Sequence, residues 1–383
     1  MKLRSVLTLL LILLIAAGFG LPDFLPLPGI DFSAFPLEFP ISAMTADAEV
    51  QSVEELEAVM KAAIGEAKES VKVRIISYDE KTYDINRLFK KVLEENAGLG
   101  FVSGCNASIT RTFESAPATL ELKVQYRYPV ETVIAMRESA DSKAAEITGK
   151  IIKPGMSDYE KVQAIHDYII KNSVYDSVNA NKDTVPAEGH EAYGVLVDGT
   201  GVCDSYAKAF KLLSDKAGVQ CMLVEGSKAE ALGQNPGSTD HAWNIVFIEG
   251  EYYHIDATWD DVSEDRDSDE LAYHYFNLND GDMQKTHVWD RTRYPACTGT
   301  SYNYYVYNEL YADDYQEAVS MLAKTISAKE EKLMMKISKY NSATYNIERM
   351  LKRAVEESRL KRGISAKWII NDPLGIIDIE FEY

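Results

Sequence analysis

The hydrophobic and polar positions of the chain follow two periods, and their order is the same at both ends. Segments with apolar residues at helical spacing are interleaved with short β-prone runs, some of them strictly alternating. Near the N-terminus this predicts helices at 52–70 and 82–96 and strands at 71–77 and 120–126. Near the C-terminus it predicts helices at 313–327 and 344–358 and strands at 332–338 and 377–383.

The two ends also share residues. Residues 82–96 and 344–358 align without gaps and are identical at seven of fifteen positions. The shared order of elements favours a duplicated α/β module of about 75 residues over a chance similarity between two amphipathic helices. We therefore place an N-terminal repeat module at 49–129 and a C-terminal one at 313–383, on either side of a central region at 130–312.

The central region is predicted to begin with helices. Helical spacing runs through 129–152, and Ser157 and Glu160 have the capping-box spacing that starts a second helix. A third helix follows a turn-like Asp-Gly-Thr-Gly segment and stops at Gly218. Cys203 therefore falls in the first turn of that helix, where unpaired backbone N–H groups and the helix dipole favour a thiolate.

A β-hairpin is predicted next, from strand-like runs at 241–248 and 251–259 joined at Glu249–Gly250. A two-residue turn sets the register, so that His241 and Asp256 lie one diagonal step apart on the same face of the sheet. A carboxylate in that position holds one imidazole nitrogen and leaves the other nitrogen for a thiol. The pattern predicts a Cys–His–Asp site.

Two motifs carry a family resemblance: "GTGVCDSYAKAF" around Cys203 and "HAWNIVFIEGEYYHIDATWDD" from His241 onwards. They resemble the transglutaminase-like superfamily, whose core has a papain-like arrangement, and the likeness covers roughly residues 140–290. The resemblance implies that Cys203 is the nucleophile, His241 the base and Asp256 the residue that orients it. It also implies an α+β fold, with a transglutaminase-like (papain-like cysteine protease) core flanked by the two repeat modules.

Acyl transfer also needs donors for the developing oxyanion. The Cys203 backbone N–H is one candidate, and Tyr193 is a candidate for the second, with a packed aromatic as the equal alternative. Trp243 is a candidate substrate contact, with a core or cleft-wall position as the alternative. The other histidines have no metal-ligand spacing and are expected to be structural, and neither a metal nor a cofactor is expected. They are His166, His190, His254, His274 and His287.

The net charge of the chain limits the classes of partner that the protein is expected to bind. With 40 basic and 60 acidic residues the formal net charge is −20, which would repel a phosphate backbone. Nucleic acid is therefore excluded as a partner, and a membrane is expected only through the N-terminus. The chain has four cysteines, and if Cys203 is a working thiol the other three cannot all pair, so no disulfide framework is expected.

The N-terminal residues look like a targeting segment. Lys2 and Arg4 precede an uncharged apolar run that ends at Asp23, the pattern of a signal peptide or an uncleaved membrane anchor. A proline-rich stretch follows and is typical of an extended tether, so 1–48 is set apart from the folded modules. We expect a bacterial, exported protein that is extracellular or held at the cell surface.

The functional expectation is an exported thiol-dependent acyl transferase or hydrolase that acts on peptide or protein amides through a thioester. Peptidase, deamidase and transglutaminase activities all remain open, because cleft shape and amine access decide between them. Cell-wall and cell-surface proteins are candidate substrates, and the oligomeric state is open. The alternative is a non-catalytic cell-surface binding or assembly protein that retains the fold.

Overall fold

The computed structural model describes residues 46–229, 240–261, 271–358 and 363–383. The expected signal or anchor and its tether, at 1–48, lie outside the described residues except for the last three positions. Within the described ranges, no helix is both long enough and apolar enough to cross a membrane. Export and the role of the N-terminal segment stay predictions.

The N-terminal end folds into a four-stranded sheet covered by two helices. Its elements are β1 (Ala48–Val50), α1 (Val53–Gly65), β2 (Ser70–Ile75), α2 (Ile85–Glu95), β3 (Val102–Thr110) and β4 (Ala118–Tyr126). The sheet order is β1-β2-β4-β3, with β1 parallel to β2 and the other pairs antiparallel. The apolar stripes of both helices are buried in one cluster with the sheet, as Leu56, Met60 and Phe89 show. The predicted helices and strands of this end are confirmed.

The central region packs helices against a second sheet. Its elements are α3 (Val130–Ile151), α4 (Asp158–Asn172), β5 (Val174–Tyr175), α5 (Ser177–Ala180), β6 (Thr200–Gly201), α6 (Cys203–Ala217), β7 (Cys221–Lys228), β8 (His241–Ile248), β9 (Glu251–Ile255), α7 (Ala257–Asp260), α8 (Asp280–Met283), β10 (His287–Trp289) and α9 (Tyr304–Tyr307). The sheet order is β10-β7-β8-β9, and every pair is antiparallel. Helix α6 buries Phe210 and Leu213 in one cluster with Val246 and Ile248 of β8. The capping box of Ser157 and Glu160 opens α4, as predicted.

The β8–β9 hairpin has the register that a two-residue turn requires. Phe247 pairs with Tyr252, and Ile245 pairs with His254. Both turn residues have positive φ, 47° at Glu249 and 95° at Gly250, as in the mirror-image turns that match the twist of a hairpin. The predicted hairpin is confirmed, and with it the expectation that His241 and Asp256 share one face.

The C-terminal end repeats the first sheet. Its elements are β11 (Tyr311–Ala312), α10 (Tyr315–Ala328), β12 (Lys332–Ile337), α11 (Ile347–Ser358), β13 (Ser365–Asn371) and β14 (Ile376–Glu382). The order is β11-β12-β14-β13, again with a parallel first pair and antiparallel pairs after it.

The two end sheets agree beyond their strand order. The rings of Tyr78 and Tyr83 lie 5.9 Å apart with an angle of 32° between their planes. The rings of Tyr340 and Tyr345 lie 5.7 Å apart with an angle of 31°. A duplication would produce such matching pairs, and the duplication itself stays a prediction.

Polar contacts hold both ends onto the central region. Arg137 of α3 donates to the Ile64 carbonyl at 2.6 Å and to the Gly100 carbonyl at 3.0 Å, at the end of α1 and before β3. At the other end, the His274 imidazole lies 2.7 Å from the carboxylate of Asp378 in β14. These contacts attach the N-terminal and C-terminal ends to the central region.

Candidate active site

Cys203 is the first residue of α6, and its thiol is only partly buried. The turn before it is shaped by glycine: Gly199 has a φ of 69°, and a Cβ on Gly201 would overlap Ser205. Helix α6 ends at Gly218, whose φ is 72°. The thiol therefore lies where a helix presents unpaired N–H groups and positive dipole charge, as the sequence predicted.

His241 opens β8 and Asp256 follows β9, so the hairpin brings the two side chains together. The His241 Nε2 atom lies 2.6 Å from Asp256 Oδ2, and both residues are buried. Burial alone would lower the pKa of His241, but the Asp256 charge and hydrogen bonds to Asp256 and Cys203 raise it to about 10. Since Nε2 is engaged by Asp256, Nδ1 is the ring nitrogen left for the Cys203 sulfur.

Asp256 caps the short helix α7 and accepts four hydrogen bonds. Its Oδ1 accepts from the backbone N–H groups of Thr258 and Trp259 at 3.0 and 3.2 Å. Its Oδ2 accepts from His241 at 2.6 Å and faces His287 Nε2 at 3.1 Å. Burial would raise the pKa of this carboxyl group, but the two imidazoles hold it well below its usual range. Asp256 is therefore an anion in a buried position.

Two residues of the site carried no signal in the sequence. His287 comes from β10, 31 positions after Asp256, and was expected to be only structural. Tyr175 of β5 pairs with Gly201 of β6, two positions before Cys203. Tyr175 is half-buried, and burial and the negative charges of Cys203, Asp204 and Asp256 raise its pKa to about 12.

Trp243 occupies the core position that the sequence analysis gave as the alternative to a substrate contact. Its side chain is 1% exposed, and its indole N–H donates to His254 Nδ1 at 3.0 Å. Its ring stacks on His241, with 5.8 Å between the ring centres and an angle of 26°. Trp243 therefore supports His241 from the protein interior.

The neighbours of Tyr193 are also different from those expected of an oxyanion donor beside Cys203. Its ring meets Phe101 edge-on at 6.3 Å, and it lines a cleft of about 420 Å³ with Arg137 and Leu212 rather than with Cys203. Burial and the Asp198 and Glu188 charges raise its pKa. The packed-aromatic alternative holds for Tyr193, because its partners belong to the contact between the N-terminal sheet and α3.

Gly226 of β7 leaves the room that Trp243 occupies, and this leads to a stability prediction. A Cβ at Gly226 would overlap the Trp243 ring and the Val288 carbonyl. We expect Gly226→Ala to lower the free energy of unfolding by about 1–3 kcal/mol, measured by chemical denaturation, because the ring or β10 must move. Gly149→Ala in α3 is the matched control, since a Cβ there meets nothing within 4 Å. Equal stability of the two variants would contradict this packing.

Two groups of described side chains have donor sets of the kind that hold a metal ion. They are His241, Asp256 and His287, and His254, Asp280 and Cys297. In each group, imidazole nitrogens lie 2.6–3.1 Å from a carboxylate oxygen. These are hydrogen-bond distances, and the proton occupies the nitrogen position that a metal would need. Both groups are hydrogen-bonded arrays, and the expectation of no metal stays a prediction.

The residues of this site lie in a region that is similar to a known protein family. Residues 145–257, which hold Cys203, His241 and Asp256, match the family model of the Transglutaminase-like superfamily. These residues form a transglutaminase-like core. The chain as a whole is a mixed α+β protein built around it.

Curated relatives match about a third of this chain. The kyphoscoliosis peptidase of Homo sapiens is 30% identical over 132 residues, which is 33% of this chain and 20% of that protein. The protein of the same name from Mus musculus is 30% identical over 136 residues, with 32% and 20% covered. The chain therefore spans about a fifth of the length of these relatives. A crystal structure of a TGase aligns with 60% of this chain and 64% of its own, at 15% identity and a TM-score of 0.29.

Proposed function

We propose that this protein is a thiol-dependent acyl transferase or hydrolase that acts on peptide or protein amides through a thioester on Cys203. The observation that carries the proposal is the hydrogen bond between His241 and the buried Asp256 carboxylate, together with the position of Cys203 at the start of α6, where its charge raises the pKa of His241. The peptidase name of the relatives supports the same class of reaction.

The reaction follows from these groups. The Cys203 thiolate attacks the amide carbonyl carbon, and the carbonyl oxygen takes up negative charge. His241 gives its Nδ1 proton to the nitrogen as the C–N bond breaks, which leaves a free amine and a thioester. Water or a second amine, deprotonated by the now neutral His241, then attacks the thioester and releases the sulfur as a thiolate. With a pKa of about 10, His241 holds the proton it must deliver at neutral pH.

The oxyanion requires donors near Cys203. The Cys203 backbone N–H, which lies at the start of α6, is the first donor in this proposal. The Tyr175 hydroxyl is the second in this proposal, because Tyr175 pairs with Gly201, two positions before Cys203, and its pKa of about 12 keeps it protonated. It takes the role first assigned to Tyr193.

Substitution of Tyr175 by phenylalanine tests this role. We expect Tyr175→Phe to lower kcat by about 10²–10³-fold, the usual cost of one oxyanion donor, with little change in KM. Steady-state kinetics on any amide substrate that the wild type turns over gives the answer. Tyr193→Phe is the matched control and should change kcat less than about twofold, since that ring packs against Phe101. The reverse ranking would return the role to Tyr193.

Mass spectrometry of a mixture of cell-surface peptides and proteins tests the proposed function. The mixture is incubated with wild-type protein or with Cys203→Ala. New termini identify a peptidase, Gln-to-Glu conversion a deamidase, and linked peptides a transglutaminase. Products that appear equally with both proteins, or with neither, would contradict the proposal. If Cys203→Ala keeps every measurable function of the wild type, the surface binding protein is favoured instead.

The proposed cellular location of the protein rests on its amino-acid sequence. The apolar N-terminal run and proline-rich stretch support export, with the protein released or anchored at the cell surface. The net charge of −20 supports a peptide or protein partner over a nucleic acid. Fractionation of cells that express the full chain locates the protein, and retention in the cytoplasm would contradict export.

A further inference from the structure

We propose that His287 is a positioning residue of this site: a second, neutral imidazole that holds Asp256 in place for His241. The inference rests on the proposed function. Its basis is that His287 and His241 approach the same carboxylate oxygen, Asp256 Oδ2, at 3.1 and 2.6 Å. Asp256 is 1% exposed, so its carboxylate takes its hydrogen bonds from protein groups such as these imidazoles rather than from bulk water.

The hydrogen bonds select one tautomer of His287. The ionised Asp256 carboxylate only accepts, so His287 Nε2 must carry a proton and donate it. His287 Nδ1 lies 2.9 Å from the Thr286 hydroxyl, which therefore donates to that nitrogen. His287 is thus fixed with its proton on Nε2, aimed at Asp256.

The surroundings keep His287 neutral. Burial, followed by the charges of His241 and Lys228, lowers its pKa against the opposing effect of Asp256. Its ring is enclosed by aromatic rings at 5.0 Å (Trp243), 4.3 Å (Trp259) and 5.4 Å (Tyr275). A neutral donor stabilises the Asp256 anion without competing with His241 for the role of cation.

The effect on Cys203 follows from the shared carboxylate. Thiolate, imidazolium and carboxylate take up protons as one coupled array. A hydrogen bond from His287 favours the less protonated, reactive form of that array. Without this bond, the array takes up a proton at a higher pH.

Alkylation of Cys203 by iodoacetamide measures the reactive form without any substrate. We expect His287→Leu in the full chain to shift the acid limb of the rate–pH curve upward by about one unit. At pH values below the limb, this shift corresponds to an approximately tenfold loss of the alkylation rate. His287→Gln, whose amide N–H reaches towards Asp256 in the same way, should restore the wild-type limb to within about 0.3 units. His274→Leu, which removes a different, partly buried His–Asp pair, is the matched control and should leave the limb unchanged.

The outcomes separate this inference from the proposed function. An unchanged limb in folded His287→Leu, or an equal shift in the leucine and glutamine variants, would overturn the role of His287. If His241→Ala alkylates as fast as wild type at every pH, the proposed function itself fails. Should His287→Leu not fold, ¹⁵N spectra of histidine-labelled wild type decide the matter. They should show His287 neutral and protonated only on Nε2 at neutral pH, and an Nδ1 proton there would refute the proposal.

Discussion

Replacing Cys203 by alanine should lower amide turnover by at least about 10⁴-fold while leaving thermal unfolding unchanged. The sulfur is the only atom of the site that forms a bond to the substrate in the proposed reaction. Its side chain is partly exposed at the start of α6, so little packing is lost with it. Steady-state rates on the substrate found by the peptide comparison, together with a melting curve, measure both effects.

Two companion variants sharpen this first result. Cys203→Ser keeps the size of the side chain but provides a hydroxyl that this site is not built to ionise, so it should be nearly as inactive. Cys105→Ala removes the other partly exposed thiol, which lies in β3 of the N-terminal sheet, and should retain full activity. Turnover that survives in Cys203→Ala would rule out a thioester on this residue.

Asp256→Asn should lower kcat by about 10³–10⁴-fold. The carboxylate accepts from two imidazoles and two backbone N–H groups, whereas an amide offers one oxygen and adds two donors. A donor placed against His241 Nε2 makes that nitrogen an acceptor, so the ring is held neutral with its single proton on Nδ1 and cannot form an imidazolium. The thiolate–imidazolium pair is then lost even where the fold is kept.

A second His–Asp pair provides the control for this variant. His254 Nε2 lies 2.9 Å from Asp280 Oδ1, one strand away from the triad. Asp280→Asn should cost less than about tenfold in kcat, because His254 acts only through the Trp243 ring. An equal loss of kcat in Asp256→Asn and Asp280→Asn would contradict the role of Asp256 as the residue that orients His241.

Local sequence signals predicted the part of the site that depends on neighbouring residues in the chain. Glycine turns on either side of one helix placed Cys203 in its first turn, and both ends of that helix are confirmed. The two-residue turn at Glu249–Gly250 set the hairpin register, which brought His241 to Asp256. In each case a short turn fixes which side chains share a face.

Contacts between distant segments could not be predicted in this way. His287 reaches Asp256 because β10 pairs with β7 on the far side of β8, and no spacing in the sequence encodes that pairing. Tyr175 comes near Cys203 in the chain's fold because β5 pairs with β6, where Tyr175 faces Gly201, two positions before Cys203. Trp243 was a candidate substrate contact with a core position as the alternative, and its side chain is buried in the core.

Two of the strands that the sequence patterns missed, β3 and β13, lie at sheet edges and have no buried residue. β3 reads "VSGCNASIT", with glycine and asparagine among its residues, and it has no buried residue along its length. β13 is mostly exposed as well. Such strands are held by backbone pairing with β4 and β14, so their sequences carry little alternation.

Competitive alkylation of the four cysteines in the folded wild-type protein tests the central claim most directly. Burial raises the pKa of Cys105, raises that of Cys221 to about 12 and raises that of Cys297 further still. With limiting iodoacetamide at pH 6.5, peptide mass spectrometry should find Cys203 labelled at least about tenfold faster than the other three thiols. The preference should disappear in His241→Ala. Labelling of Cys105 as fast as Cys203, or a preference that persists without His241, would contradict the account of a thiolate sustained by His241 and Asp256.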